Sequence, residues 1–208
     1  LKAESTNCAT WINKKSLWHS NGMSNFSDYL AQFNANQRRN IKRERQYLRK
    51  LNLEISISNG SQINILEMKK MHSFYKDHCE RWGIWGSKYL SESFFEKLAS
   101  KELRDKVVLF KANKEKDPNT IAMSLCITDG KNLWGRYWGS KEDIDYLHFE
   151  LCYYAPIEWA LSEGIEYFDP GAGGSHKLRR GFIVEPNESL HRWYEPRMDQ
   201  IIREWLPK

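Results

Sequence analysis

The apolar positions of this chain follow two rhythms, and their succession predicts the fold. From Asn25 to about Lys50 the spacing is helical: Phe26, Tyr29, Leu30 and Phe33 share a face, and Ile41, Tyr47, Leu48 and Leu51 continue the series. Leu53–Ser58 alternates as a strand and meets the turn pair Asn59-Gly60. Residues 63–81, with Ile63, Leu66, Met71, Phe74 and Tyr75, return to helix and stop at Trp82-Gly83. Ser91 caps a further helix through Phe94, Phe95 and Leu98. Three strands follow, Val107–Ala112, Ile121–Thr128 and Leu133–Trp138, and the short turns between them predict an antiparallel meander. A long helix over 147–163 ends at Gly164, Ile165–Asp169 forms one more strand, and about Met198–Leu206 closes the chain as a helix. Residues 1–23 carry neither rhythm and read as irregular. A meander leading into a central helix and back to a strand is the order of the Gcn5-related acyltransferase (GNAT) fold, an α/β fold with a mixed, mostly antiparallel sheet flanked by helices.

Composition narrows the class. With 208 residues, 40% of them hydrophobic, the chain can bury a substantial core, which argues against disorder. No run approaches the length of a membrane span, and no basic-then-apolar leader opens the chain, so a cytoplasmic protein is expected. The chain starts on Leu1 rather than Met, which suggests a fragment from which an upstream signal has been lost. Four separated cysteines (Cys8, Cys79, Cys126, Cys152) and six histidines without ligand spacing suggest reduced thiols and no metal site. The net charge of +5 is concentrated in 37–50, QRRNIKRERQYLRK. That stripe is either a solvated helix face or a surface for nucleic acid or anionic lipid.

The candidate chemistry lies between Asn132 and Phe182, where polar groups gather at the ends of strands and helices. Glu150 falls near the start of helix 147–163 and heads the otherwise apolar stripe Tyr154–Ile157–Leu161. A carboxylate part-buried there suits a general base; an ion pair with Arg136 on the preceding strand is the structural alternative. His148 points away from Glu150 and reads either as a packed histidine or as a base. Pro156 in mid-helix should bend the helix and leave the Cys152 carbonyl without its donor. The turn 169–174, DPGAGG, leaves a strand with little side-chain bulk and runs directly into His176, Lys177, Arg179 and Arg180. Cations beside Gly173-Gly174 suit a phosphate or an oxyanion, although surface charges at a domain edge would read the same way.

The motifs GRYWG…LHFELCYY and PGAGGSHKLRRGF, with WHSNG…FSDYL…QRRNIKRER upstream, resemble the FemAB-like predicted N-acyltransferases. The resemblance runs from about Trp18 to His191. It implies a GNAT-type domain and transfer of an acyl or aminoacyl group to an amine acceptor such as a cell-wall precursor. Better-known relatives, the Fem ligases, carry two such domains and take their donor from aminoacyl-tRNA. By that resemblance residues 1–30 are the remnant of a preceding domain or a linker, weakly anchored and prone to self-association, and 31–208 form the acyltransferase domain. Glu150, His148 and Lys177 are then the catalytic candidates, and Arg136, Tyr137, Tyr154, Gly173, Gly174, His176, Arg179 and Arg180 the substrate-binding ones. The turn ahead of helix 147–163 carries Glu142, Asp143 and Asp145 where acetyl-CoA enzymes place a glycine-rich, basic turn. Aminoacyl-tRNA tracking residues 38–50 is therefore favoured over acetyl-CoA as donor. The alternative is a non-catalytic binding module for a cell-wall precursor or RNA.

Overall fold

A computed structural model describes residues 8–205 except 87, 116–118 and 172–173. Seven strands form one sheet in the order β2-β3-β4-β5-β6-β1-β7. β2 (Leu53–Asn59), β3 (Val107–Lys114), β4 (Thr120–Thr128) and β5 (Asn132–Ser140) pair antiparallel in sequence, the expected meander. β5 and β6 (Tyr167–Asp169) are parallel. Parallel neighbours need a crossover, and α5 (Leu147–Phe149), a π turn (Glu150–Tyr154) and α6 (Ala155–Ser162) supply it as one continuous helix.

Alternation along the central strands sends side chains to two helical layers. Val108, Phe110, Ala112, Ala122, Cys126 and Leu133 face α1 (Phe26–Ala31), α2 (Ala35–Lys50) and the crossover helix. Val107, Leu109, Met123 and Leu125 face α3 (Ile65–Glu80) and α4 (Glu92–Leu98), and Ser91 caps α4 as expected. The expected helix from Asn25 to Lys50 is broken in two because Asn25 and Asn34 each cap a new start. α3 can approach β5 closely because Gly139 has no side chain: a Cβ there would lie 2.2 Å from the Phe74 carbonyl oxygen.

The reading of residues 1–23 as irregular is corrected. β1 (Ala9–His19) lies inside the sheet, pairing with β6 at Trp18 and His19 and with β7 (Ile183–His191) along its length. Trp18 and Tyr29 are fully buried in the main core, and Phe26 packs against it, so the described part of 1–30 is anchored by the same core as the rest. Trp11, by contrast, is 41% exposed on the outer part of the β1–β7 ribbon. The ribbon is wetted on both faces and so lacks the in-out alternation that marks a strand in sequence. Pro186 is tolerated in β7 because that strand is the sheet edge. α7 (Pro196–Trp205) follows the ribbon. Among the described residues, no helix is long and apolar enough to cross a membrane.

Candidate active site

β5 and β6 hold together only over Asn132–Trp134 and Tyr167–Asp169. Beyond that point β6 ends, the chain turns at Pro170, and a cleft of about 680 Å³ opens beside the departing β5. It is lined by Arg136, Tyr137 and Trp138 of β5, His78 of α3, His148 and Cys152 of the crossover helix, and Gly174, His176 and Lys177 of the following turn. A register shift between Leu125 and Cys126 leaves Arg136 unpaired on β5, which turns this exposed side chain to the cleft rim.

The crossover helix leaves α register here. Ala155 N–H bonds to the Glu150 carbonyl five residues back, so the helix has slipped into π register. In that register the Leu151 carbonyl would accept from residue 156, which is proline and has no N–H. Ser124 Oγ on β4 donates to the Leu151 carbonyl at 2.6 Å instead. The proline thus leaves Leu151, rather than the expected Cys152, in need of a donor, and a side chain of the sheet provides it.

Three imidazoles share the cleft. The rings of His148 and His176 are 6.2 Å apart, and Trp138 meets His148 edge-on at 5.1 Å. Burial, with the charges of His176, His78, Arg180 and Lys177 added, pushes the His148 imidazole down to about 4. Burial lowers His78 and His176 too, each helped by neighbouring cations. His176 Nε2 lies 2.9 Å from the Tyr153 hydroxyl. Gly174 sits at φ 85°, and a Cβ there would lie 2.4 Å from the His176 ring, so backbone and contact both require glycine.

Lys177 is 2% exposed, and its Nζ donates to the Gly171 carbonyl at 2.7 Å. Burial lowers its affinity for the proton, partly offset by Asp169. The turn Ser175–Arg180 is a 3-10 helix, whose three-residue period puts Lys177 and Arg180 on the buried side.

Three of the sequence expectations do not hold in this geometry. Glu150 is buried outside the cleft, and its partner is Arg45 of α2 rather than Arg136. The Arg45 guanidinium grips both carboxylate oxygens at 2.8–3.1 Å, so Glu150 is tied up and cannot reach a substrate in the cleft. Tyr154 also faces α2, where its hydroxyl donates to Glu44 at 2.5 Å. The basic cluster is divided: Lys177 lines the cleft, whereas Arg179 and Arg180 line a neighbouring groove against α2. Arg180 pairs with Glu44 at 2.8 Å and stacks over Phe149 at 3.5 Å. Gly173 lies outside the described residues. Arg136, Tyr137, His148, Gly174, His176 and Lys177 are brought together.

Sequence reading missed His78, Tyr153 and Ser124. His78 lies one turn beyond Phe74, on the stretch of α3 brought close by Gly139, and its Nδ1 is buried without a hydrogen-bond partner. No local signal marks it, because only the packing of α3 on β5 carries it to the cleft. Among the described residues no cluster of histidine, cysteine or carboxylate side chains could hold a metal ion.

The FemAB-like family, described as peptidoglycan biosynthesis/recognition, matches residues 1–208. No match is found among the curated proteins. Among solved structures, L-PGS from Bacillus licheniformis is similar over 97% of this chain and 68% of its own, with a TM-score of 0.58 and 6% identity. A C-terminal DUF2156 domain from Agrobacterium fabrum, assigned as a lysylphosphatidylglycerol synthetase, covers 97% of this chain and 66% of its own (TM-score 0.62, 11% identity). FemX covers 91% and 63% (TM-score 0.60, 14% identity). The chain thus spans about two thirds of the length of these structures. At such identities the likeness is one of fold, and the fold is the GNAT-like one that the element order predicts.

Proposed function

The chain belongs to the FemAB-like family of peptidoglycan biosynthesis/recognition proteins, and from that premise we propose that it is an N-acyltransferase working in the cleft at the β5–β6 splay. The donor is an aminoacyl ester carried by tRNA, whose phosphates follow the exposed cations of residues 38–50. The acceptor is an amine of a cell-wall precursor. The amine nitrogen attacks the ester carbonyl, a C–N bond forms, and the C–O bond to the ribose breaks. The proton lost by the amine ends on the departing ribose oxygen.

The observation that carries this reading is Lys177, a buried cation facing a cleft that also holds imidazoles biased toward neutrality. A buried cation held in place stabilises the oxyanion of the tetrahedral intermediate without reorganising. A neutral imidazole, His148 or His176, takes the amine proton and returns it to the alkoxide. Glu150 has no part in this step.

The test is a transfer assay with labelled aminoacyl-tRNA and an amine-bearing muropeptide. Lys177→Ala is expected to lower kcat by about 10²–10³ with little change in KM. Wild-type turnover in Lys177→Ala, or in the double variant His148→Ala/His176→Ala, would overturn the assignment. A second reading, a binding module without chemistry, draws support from the ion pairs that immobilise Glu150 and Arg180. It predicts saturable muropeptide binding with no transfer from any aminoacyl donor.

A further inference from the structure

The cleft at the β5–β6 splay is cationic. Among the described residues that line it no carboxylate occurs, whereas Arg136 and Lys177 bring two fixed positive charges. We propose that Arg136 is the specificity-determining residue of this cleft and that it holds a carboxylate carried by the acceptor beside its reacting amine. That the amine reacts rests on the transfer reading above; that a carboxylate accompanies it is read from the charges of the cleft.

The two cations differ in their commitments. Lys177 lies at the bottom, 2% exposed, with its Nζ on the Gly171 carbonyl. Asp169, whose Oδ1 accepts from the Gly171 N–H at 2.8 Å, partly offsets the burial of that lysine. Arg136 is exposed at the rim, and among the described residues it meets no carboxylate. Its Nη1 reaches the Gly135 carbonyl of its own strand at 3.5 Å, the outer limit of such a bond, so nearly the whole guanidinium fork is left for a ligand. An exposed arginine is ordinary by itself. The register shift between Leu125 and Cys126 sends this one to the cleft, and its charge acts there: burial pushes the Cys126 thiol up to about 12, and Arg136 opposes the rise.

Close backbone packing brings the two charges to one junction. A Cβ at Gly135 would lie 3.3 Å from Pro170 Cα, and one at Gly171 would lie 3.6 Å from the Gly135 carbonyl oxygen. The residue before Arg136 therefore touches the glycine that holds Lys177, and neither glycine puts a side chain between them. A planar carboxylate meets the outer guanidinium in two parallel hydrogen bonds. The amine beside it then points inward, toward the imidazoles and the buried lysine. The same charges penalise a ligand that brings a second ammonium in place of the carboxylate.

The experiment is isothermal calorimetry of the full chain with the amine-bearing muropeptide in two forms, its carboxylates free or converted to carboxamides. Wild type is expected to bind the free acid about tenfold or more tightly than the amide. Arg136→Gln should bring the two forms within about threefold by weakening the acid alone. Arg136→Lys, which keeps the charge without the fork, should retain part of the preference. Because Arg136 is exposed, Arg136→Gln is expected to unfold in urea as wild type does. Equal binding of the two forms by wild type, no binding of either, or a preference that survives Arg136→Gln would overturn the proposal. In the transfer assay Arg136→Gln should raise KM for the free acid with kcat nearly unchanged, the converse of Lys177→Ala. If no aminoacyl donor supports transfer and the preference for the free acid stands, the transfer reading falls and carboxylate recognition remains.

Discussion

Two side chains in this site carry measurable consequences of burial. An unfolded histidine titrates near 6.5, whereas His148 in the fold is pushed down to about 4. Between those values the unfolded chain binds the extra proton, so the stabilisation is complete above about 6.5 and is lost as the pH falls toward 4. His148 alone should make unfolding about 2 kcal/mol easier at about pH 5 than at about pH 7, read by urea titration. His148→Gln should remove that part of the slope; an unchanged slope would show that the ring is not desolvated. Glu150 makes the opposite case. Burial raises its carboxyl, and the Arg45 guanidinium bonded to both oxygens opposes that rise. Arg45→Ala leaves the carboxyl buried without its partner, an expected loss of about 3–5 kcal/mol, whereas Arg45→Met/Glu150→Leu should recover most of it. Equal losses in the two variants would mean that packing, not charge, dominates. The nomination of Glu150 from sequence saw its burial correctly and its partner wrongly. A stripe on one helix tells which side faces inward, but Arg45 comes from an element 105 residues away in the chain.

At the scale of the element, the crossover helix joins an interruption in sequence to a polar contact from the sheet. Pro156 removes an N–H, the π register moves the deficit to the Leu151 carbonyl, and Ser124 Oγ makes it good. Ser124→Ala would orphan that buried carbonyl and should cost about 1–3 kcal/mol in a chemical-denaturation experiment. Pro156→Ala restores a donor at that position, so the double variant should lose less than Ser124→Ala alone. Additive losses would indicate that Ser124 acts only by packing. An interruption of the hydrogen-bond ladder was legible from Pro156, but the π slip was not, because it depends on the partner strand. The same division holds elsewhere. The meander β3–β5 was legible because each strand is half-buried or wholly buried and bounded by turn residues. β1 and β7 were not, because a ribbon exposed on both faces leaves no alternation to read.

At the scale of the whole molecule, the turn ahead of the crossover helix bears on whether acetyl-CoA could serve as the proposed donor. In the GNAT-like arrangement a CoA pyrophosphate would settle at the start of the crossover helix, where free N–H groups and positive dipole favour an anion. Here the turn of residues 141–146 stands in that place. Lys114 neutralises Glu142 at 2.6 Å, but Asp143 and Asp145 have no such partner among the described residues. The Leu147 N–H is already taken by the Ile144 carbonyl. Tyr146 adopts φ 66°, a left-handed conformation in which its side chain stands at the mouth of the turn, edge-on to Tyr47 at 5.5 Å. A pyrophosphate would therefore meet like charge, an engaged Leu147 N–H and an aromatic ring. On the other side of the same helix, the exposed Arg43 of α2 and Arg179 of the turn Ser175–Arg180 meet no carboxylate among the described residues, which favours a donor whose phosphates approach from there. Calorimetry with acetyl-CoA is expected to show no saturable binding below about 1 mM, the range in which ordinary CoA-dependent enzymes hold their substrates. Asp143→Asn/Asp145→Asn should gain little, because removing repulsion does not create N–H donors. Low-micromolar binding of acetyl-CoA to the wild-type chain would instead place the donor at this turn and return the protein to the CoA-dependent acetyltransferases.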